Sequence, residues 1–258
     1  MRTIGVIPAR MGSSRFPGKP LAPINGIPML GHVYFRSRMN PQLDTVYIAT
    51  CDDEIRRYAD EIRADCILTS ATHERASDRT AQAVDLIEAR SSPVDVVMMI
   101  QGDEPMIHPD MLDEALAPLR REAEVQVVNL MAPLGADAVA DPNEIKVVVD
   151  RRGDALYFSR GPLPWHKDGL VEAMKQVCVI PFRRRFLAQF AALAPTPLER
   201  AESIDMLRAL EHGYPVRMAR TAHVTCSVDT PDDLARVANM MRDDPLLSRY
   251  ALERSWHA

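Results

Sequence analysis

The sequence predicts an α/β protein: a mostly parallel, Rossmann-like sheet with flanking helices. Three observations lead there. Short β-branched runs alternate with helical patterns through the first half of the chain. The run VDVVMMI (94–100) is apolar at nearly every position, which marks a strand covered on both faces. Apolar residues make up 47% of 258 residues, enough to bury such a core.

TIGVIP reads as the first strand, and PMLGHVYFRSRM as a helix opened by Pro28. TVYIAT is a second strand; DDEIRRYADEI is a helix with acids in its first turn, where the backbone dipole favours them. CILT is a short strand. SDRTAQAVDLIEA is a helix with Ser77 as N-cap, and places Ala81, Val84 and Ile87 on one face. After VDVVMMI come the helix PDMLDEALAPLRR, the strand VQVVNLMA and the hairpin IKVVVDRRGDALYFS, turning near Arg152-Gly153. RGPLPWHKDGLVEAMKQ is rich in Pro and Gly and reads as a loop or protruding arm. VCVIPF is a strand, LERAESIDMLRALEHG a helix ended by Gly213, and TPDDLARVANMMR a helix capped by Thr230. The tail DDPLLSRYALERSWHA has the pattern of a short amphipathic helix. No repeat, low-complexity tract or linker divides the chain, so a single domain over 1–258 is expected, with 151–185 as the arm.

The net charge of −5 argues against a general nucleic-acid binder, so any basic site must be local. Cys51, Cys66, Cys178 and Cys226 are scattered without a CxxC pair, which disfavours a zinc ribbon or a disulfide framework. The opening apolar run is too short for a secretory signal, and no run approaches the ~20 residues of a membrane span. A soluble cytoplasmic protein is expected. His32, His108, His212, His223 and His257 read as surface or packing residues, Trp165 as packing for the arm or a dimer contact, and the Met-rich 239–241 as helix core.

Ligands of an open parallel sheet bind beyond the carboxyl ends of its strands. PARMGSSRFPGKPL (8–21) stands there, after the first strand. Gly12, Ser13 and Ser14 let backbone N–H groups approach an anion, Arg10 and Arg15 offer planar forks, and Lys19 adds a compact charge. A solvated basic loop would explain the charges equally well. In IQGDEPMI, Asp103 and Glu104 follow a buried strand at the same end of the sheet, where a carboxylate commonly holds Mg²⁺. In SVDTPDDL, Asp229 precedes a helix whose cap Thr230 can supply. Together these suggest a nucleotide bound through its triphosphate and Mg²⁺. Pro20 stands where a Walker A loop needs Ser or Thr, and no GxGxxG occurs.

PARMGSSRFPGKPL, INGIPML, QGDEP, YFSRGPLPW, PTPLE and VDTPDDL resemble the cytidylyltransferases that make CMP-3-deoxy-manno-octulosonate (CMP-Kdo), over nearly the whole chain. The resemblance implies a nucleotidyltransferase fold, usually a homodimer with a small dimerisation arm. It implies CTP as substrate, a small acidic acceptor, and no nucleic-acid or membrane partner. It implies a nucleotide site of Pro8, Ala9, Arg10, Ser14, Arg15, Lys19, Arg75, Asp78, Arg79 and Gln101. Arg10, Arg15 and Lys19 would contact phosphates, Asp78 and Arg79 would lie near the cytosine, and Asp103 and Asp229 would hold Mg²⁺. Arg10, Arg15, Lys19 and Asp103 are the expected catalytic groups. The acceptor site is assigned to Gln101, Arg160, Gln176, Glu202 and Asp205.

The chain departs from the family pattern on the acceptor side. The usual His-x-Ser-Gly-Thr before Asp78 is His73-Glu74-Arg75-Ala76-Ser77, with an added cation. Family positions for His, Tyr and Gln hold Gln176, Ile180 and Met206. Losing hydroxyl-binding groups changes discrimination among sugars. The expectation is a paralogue with another acceptor, a phosphonate such as phosphonoformate or another ulosonic acid. A divergent CMP-Kdo synthetase is the alternative. A nucleotide-binding regulator without turnover and a structural subunit are the competing classes. Packing alone needs none of Arg10, Arg15, Lys19, Asp103 and Asp229.

Overall fold

The computed structural model describes residues 1–13, 15–165 and 172–251. In chain order the strands are β1 (Thr3–Pro8), β2 (Pro23–Ile24), β3 (Ile27–Pro28), β4 (Thr45–Thr50), β5 (Asp65–Leu68), β6 (Val96–Ile100), β7 (Val128–Leu134), β8 (Lys146–Val149), β9 (Ala155–Ser159), β10 (Ala173–Val177), β11 (Val179–Arg183) and β12 (Arg217–Arg220). The helices are α1 (Met29–Arg38), α2 (Asp53–Glu61), α3 (Ala76–Glu88), α4 (Pro109–Arg121), α5 (Arg184–Ala192), α6 (Pro197–Glu202), α7 (Met206–Glu211), α8 (Pro231–Met240) and α9 (Pro245–Ala251).

The first sheet has the order β11-β6-β1-β4-β5, with β6, β1, β4 and β5 parallel and β11 antiparallel at the edge. β6 explains why its sequence is continuously apolar. Val96, Met98 and Ile100 enter the core shared with α1, α2 and α4, while Val97 and Met99 enter the core shared with α3, α5 and α7. The mostly parallel α/β fold is thus as expected. A second sheet, β12-β7-β10-β8-β9, is mostly antiparallel and joins the first through a bridge between Val127 and Phe182.

Several boundaries differ from the sequence reading. Helix α3 begins at Ala76 with Arg75 at its N-cap, so Ser77 lies inside the helix and donates instead to Asp205, at 2.6 Å. Residues 173–176, read as loop, belong to strand β10, because β7 at 130–134 and β8 at Lys146 and Val147 offer it ladders on both edges. Within 151–185, the described strands β9, β10 and β11 all belong to sheets, and 166–171 lie outside the described residues. The helix expected over LERAESIDMLRALEHG is broken into α6 and α7 at Ser203, which takes φ 56°. Thr230 caps α8 as expected, accepting from Asp233 N. Among the described residues all four cysteines are free, and no helix is long and apolar enough to cross a membrane.

Candidate active site

Strands β1 and β6 are neighbours, so the loops after Pro8 and Ile100 leave the sheet side by side. A third segment reaches the same point: Val228 N donates to Asp103 O at 2.9 Å and fixes Asp229 beside Asp103. In the basic loop, Gly18 takes φ 77°, a conformation that costs Gly nothing, and heads a short 3₁₀ turn over Lys19–Leu21. That turn aims Lys19 inward. Its Nζ donates to Asp103 Oδ2 at 2.9 Å, Asp229 Oδ1 at 3.2 Å and Val228 O at 2.7 Å. Burial pulls the Lys19 ammonium down, but the two carboxylates outweigh it and hold its pKa above the ordinary lysine value.

Arg15 approaches from solvent. Its Nη2 donates to Asp229 Oδ1 at 2.9 Å and its Nη1 to Asn143 Oδ1 at 2.5 Å. Two aspartates more than a hundred residues apart in the chain therefore share one cationic neighbourhood. Two carboxylates converging on one cation position are the hard oxygen donor set that Mg²⁺ prefers, so the residues present fit that ion. Next to them Glu104 is buried, and burial together with the charge of Asp103 pushes its pKa up to about 8.

Arg15, Lys19, Asp103 and Asp229 line a cavity of about 420 Å³. Of the residues assigned from sequence, Pro8, Ala9, Arg10, Arg15, Lys19, Arg75, Arg79, Gln101, Asp103 and Asp229 all face it. Ser14 lies outside the described residues. Asp78 does not line it; it accepts from Arg208 Nη1 at 3.3 Å, because its position on α3 turns it toward α7. Arg79 is nearly buried and donates to Thr69 Oγ1 and Ser70 O.

Two adjoining cavities, of about 140 and 190 Å³, share Gln101, Arg160, Gln176 and Cys178. Asp205 lines the second, where burial raises its pKa, alongside Met99, Ile145, Ile180, Ile204 and Met206. Glu202, assigned to the acceptor, lines neither. It accepts from Ser159 Oγ and Arg160 N at 2.8 Å each, so it anchors the end of β9. The added cation Arg75 is already engaged: Nη1 donates to Ser203 Oγ at 2.8 Å, and Nε lies 3.6 Å from both Glu199 and Asp205.

Sequence reasoning passed over Asn143, Lys175 and Asn129. Asn143 stands in DPNE, a turn-forming cluster that could have marked it. Asn129 carried no such signal, being one polar residue in an apolar strand. It is fully buried, and its Nδ2 donates to Leu130 O and Val177 O. Its Oδ1 therefore faces Gln176 and accepts from Gln176 Nε2 at 2.5 Å. That orients the Gln176 amide and leaves its Oε1 without a partner among the described residues, beside the two smaller cavities.

The cytidylyltransferase family profile matches residues 4–230. The 3-deoxy-manno-octulosonate cytidylyltransferase of Geobacter metallireducens is 41% identical over 254 residues, covering 93% of this chain and 98% of that protein. The mitochondrial 3-deoxy-manno-octulosonate cytidylyltransferase of Arabidopsis thaliana is 37% identical, covering 94% and 84%. A solved CMP:2-keto-3-deoxy-manno-octonic acid synthetase complexed with CTP superposes with a TM-score of 0.85 at 35% identity, covering 93% of this chain and 98% of that one. The basic loop, the paired aspartates and these likenesses agree: the chain belongs to the cytidylyltransferase family.

Proposed function

We propose that this cytidylyltransferase carries CMP from CTP to an acidic acceptor poorer in hydroxyls than Kdo, a phosphonate such as phosphonoformate or another ulosonic acid. The observation supporting transfer is the gathering of Arg10, Arg15, Lys19, Asp103 and Asp229 on one cavity. An acceptor oxygen attacks the α-phosphorus in line, a new P–O bond forms, and the bond to the β-phosphate breaks with its electron pair leaving on pyrophosphate. A phosphonate oxygen is already ionised and needs no general base, whereas the anomeric hydroxyl of an ulosonic acid would give up its proton to solvent water as the bond forms. The chief barrier is bringing two anions together, which fixed positive charge lowers. Arg10 and Arg15 would hold phosphate oxygens, and Lys19, bonded to both aspartates, would keep them in register. Asp103 and Asp229 would hold Mg²⁺, which supplies charge neutralisation at the phosphates when bound.

The acceptor side supports the narrower reading. Ile180, Met206, Ile204 and Met99 line part of the cavity and offer no partner to sugar hydroxyls, whereas Gln101, Gln176, Ser203 and Asp205 are among its polar lining. Gln176 Oε1 offers one acceptor for a single donor, and Arg160 a cation. The names of the relatives favour a second reading, in which Kdo itself binds through other groups. Pyrophosphate release with CTP and Mg²⁺, measured against Kdo, phosphonoformate and other ulosonic acids, separates the two. The proposal expects phosphonoformate or a non-Kdo acid to have the highest kcat/KM. Kdo leading by a wide margin would overturn it, and no release with any acid would favour a nucleotide-binding protein. A homodimer is part of the same proposal: β9 is a sheet edge, and Leu156 on it and Trp165 beyond it are 63% and 82% exposed. A monomeric mass by light scattering would refute it.

A further inference from the structure

His108, Asp110 and His223 lie on the surface outside the cavities above. His108 ends the loop that carries Asp103 and caps α4, its Nδ1 accepting from Asp110 N at 3.2 Å. His223 follows β12, in the segment that leads to Asp229, with its backbone N–H held by Thr221 Oγ1 at 3.1 Å. The two imidazoles stack, centroids 4.1 Å apart and 10° from parallel. Asp110 Oδ2 stands 3.5 Å from His108 Nδ1 and 3.9 Å from His223 Nε2, and one ligand atom from each of the three falls within 4.8 Å of the others.

We propose that these three residues form a binding site for an imidazole-preferring divalent cation of the Zn²⁺, Co²⁺ or Ni²⁺ class, separate from the Asp103–Asp229 pair. In a tetrahedral site with metal–ligand bonds of about 2.0–2.2 Å, ligand atoms stand roughly 3.3–3.6 Å apart. The Asp110–His108 pair already has that spacing. The stacked rings hold their lone pairs in near-parallel planes, so binding requires one imidazole to turn out of the stack toward the ion. Both imidazoles are partly exposed and Asp110 is 66% exposed at its side chain, so the turn is a rotamer change at the surface. Two imidazoles select against Mg²⁺, a hard ion that prefers oxygen, so the ion serving the aspartates does not compete here. Three protein ligands leave a fourth position for water. Ligation also takes His108 Nδ1 away from capping α4, so the site binds less tightly than a closed four-ligand centre. Its effect is mechanical: a bound ion ties the loop bearing Asp103 to the segment bearing Asp229, reinforcing the hydrogen bond between Val228 N and Asp103 O.

The test is Co²⁺ titration of the full chain, stripped with chelator and held in excess Mg²⁺, followed by visible absorption. The wild type is expected to take up a single Co²⁺ with a ligand-field spectrum free of the thiolate charge-transfer band. His223→Ala and His108→Asn should each weaken binding at least tenfold. Asn is itself a good N-cap, so His108→Asn removes the ligand while α4 keeps its cap, and it decides the matter if His223→Ala does not fold. Wild-type affinity in a folded variant, or a thiolate band pointing to the cysteines, would overturn the proposal.

Discussion

Arg15 shows how a single side chain earns a role from its neighbours. It is half exposed, reaches both Asn143 and Asp229, and borders the 420 Å³ cavity proposed for the nucleotide, so packing gives no reason for its charge. Removing one well-aimed phosphate contact costs about 2–4 kcal/mol at the transition state, by analogy with oxyanion donors. Arg15→Ala should therefore lower kcat/KM by more than tenfold while the urea midpoint barely moves; a smaller loss would remove Arg15 from the phosphate site. His32 is the opposite case, a buried group with a structural task. Its Nε2–H donates to Ile24 O at 2.8 Å, and Nδ1 accepts from the Tyr250 hydroxyl at 2.7 Å. Burial drives its pKa down to about 4. The unfolded chain then binds a proton below about pH 6.5 that the folded chain refuses until near pH 4. Stability is full above that window and declines by up to about 3 kcal/mol as pH falls through it. His32→Gln should flatten this slope in urea titrations between pH 6.5 and 4; an unchanged slope would assign it to other groups.

At the level of elements, the break between α6 and α7 matters most. Ser203 in the left-handed region turns the chain so that α6 and α7 can lock together through Glu199 and Arg208. Both are buried, and Arg208 holds Glu199 with two donors, Nε at 2.9 Å and Nη2 at 2.6 Å. Glu199 stays below its usual range despite burial, because Arg208 favours its charge. Arg208→Met would strand that carboxylate, a loss of about 3–5 kcal/mol, and adding Glu199→Gln should restore much of it. Denaturation of the single and double variants tests the pairing; equal midpoints for both would contradict it. A second close contact is between α1 and α2, where a Cβ on Gly31 would overlap the Tyr58 hydroxyl. Gly31→Ala should cost about 1–3 kcal/mol from overpacking, read as a lower thermal midpoint.

For the whole molecule, the cavity proposed for the nucleotide would couple binding to folding, since CTP with Mg²⁺ should bind only where all three segments meet. At a hundredfold excess over Kd this adds about 2.7 kcal/mol, which raises the thermal midpoint by several degrees in a chain of this size. Chelating Mg²⁺ or making Asp229→Asn should abolish both the shift and pyrophosphate release. A full CTP shift in Asp229→Asn would mean that the aspartate does not serve the nucleotide.

The sequence by itself determined the parallel sheet, the position of the basic loop at its carboxyl edge, and the two acidic motifs. Those features are local: apolar periodicity reports which faces are covered, and Gly, Pro and charge clusters report where the chain turns toward a ligand. Even so, periodicity misread residues 173–176 as loop and ran α6 into α7, because ladder partners and the φ of Ser203 are set by distant neighbours. Only the tertiary structure decided that Lys19 joins Asp103 to Asp229, that Asp78 turns away toward Arg208, that Arg75 is already paired, and that Asn129 orients Gln176. Each of these depends on side chains far apart in the chain, and a one-dimensional pattern carries no record of which charge will find which partner once the core has closed.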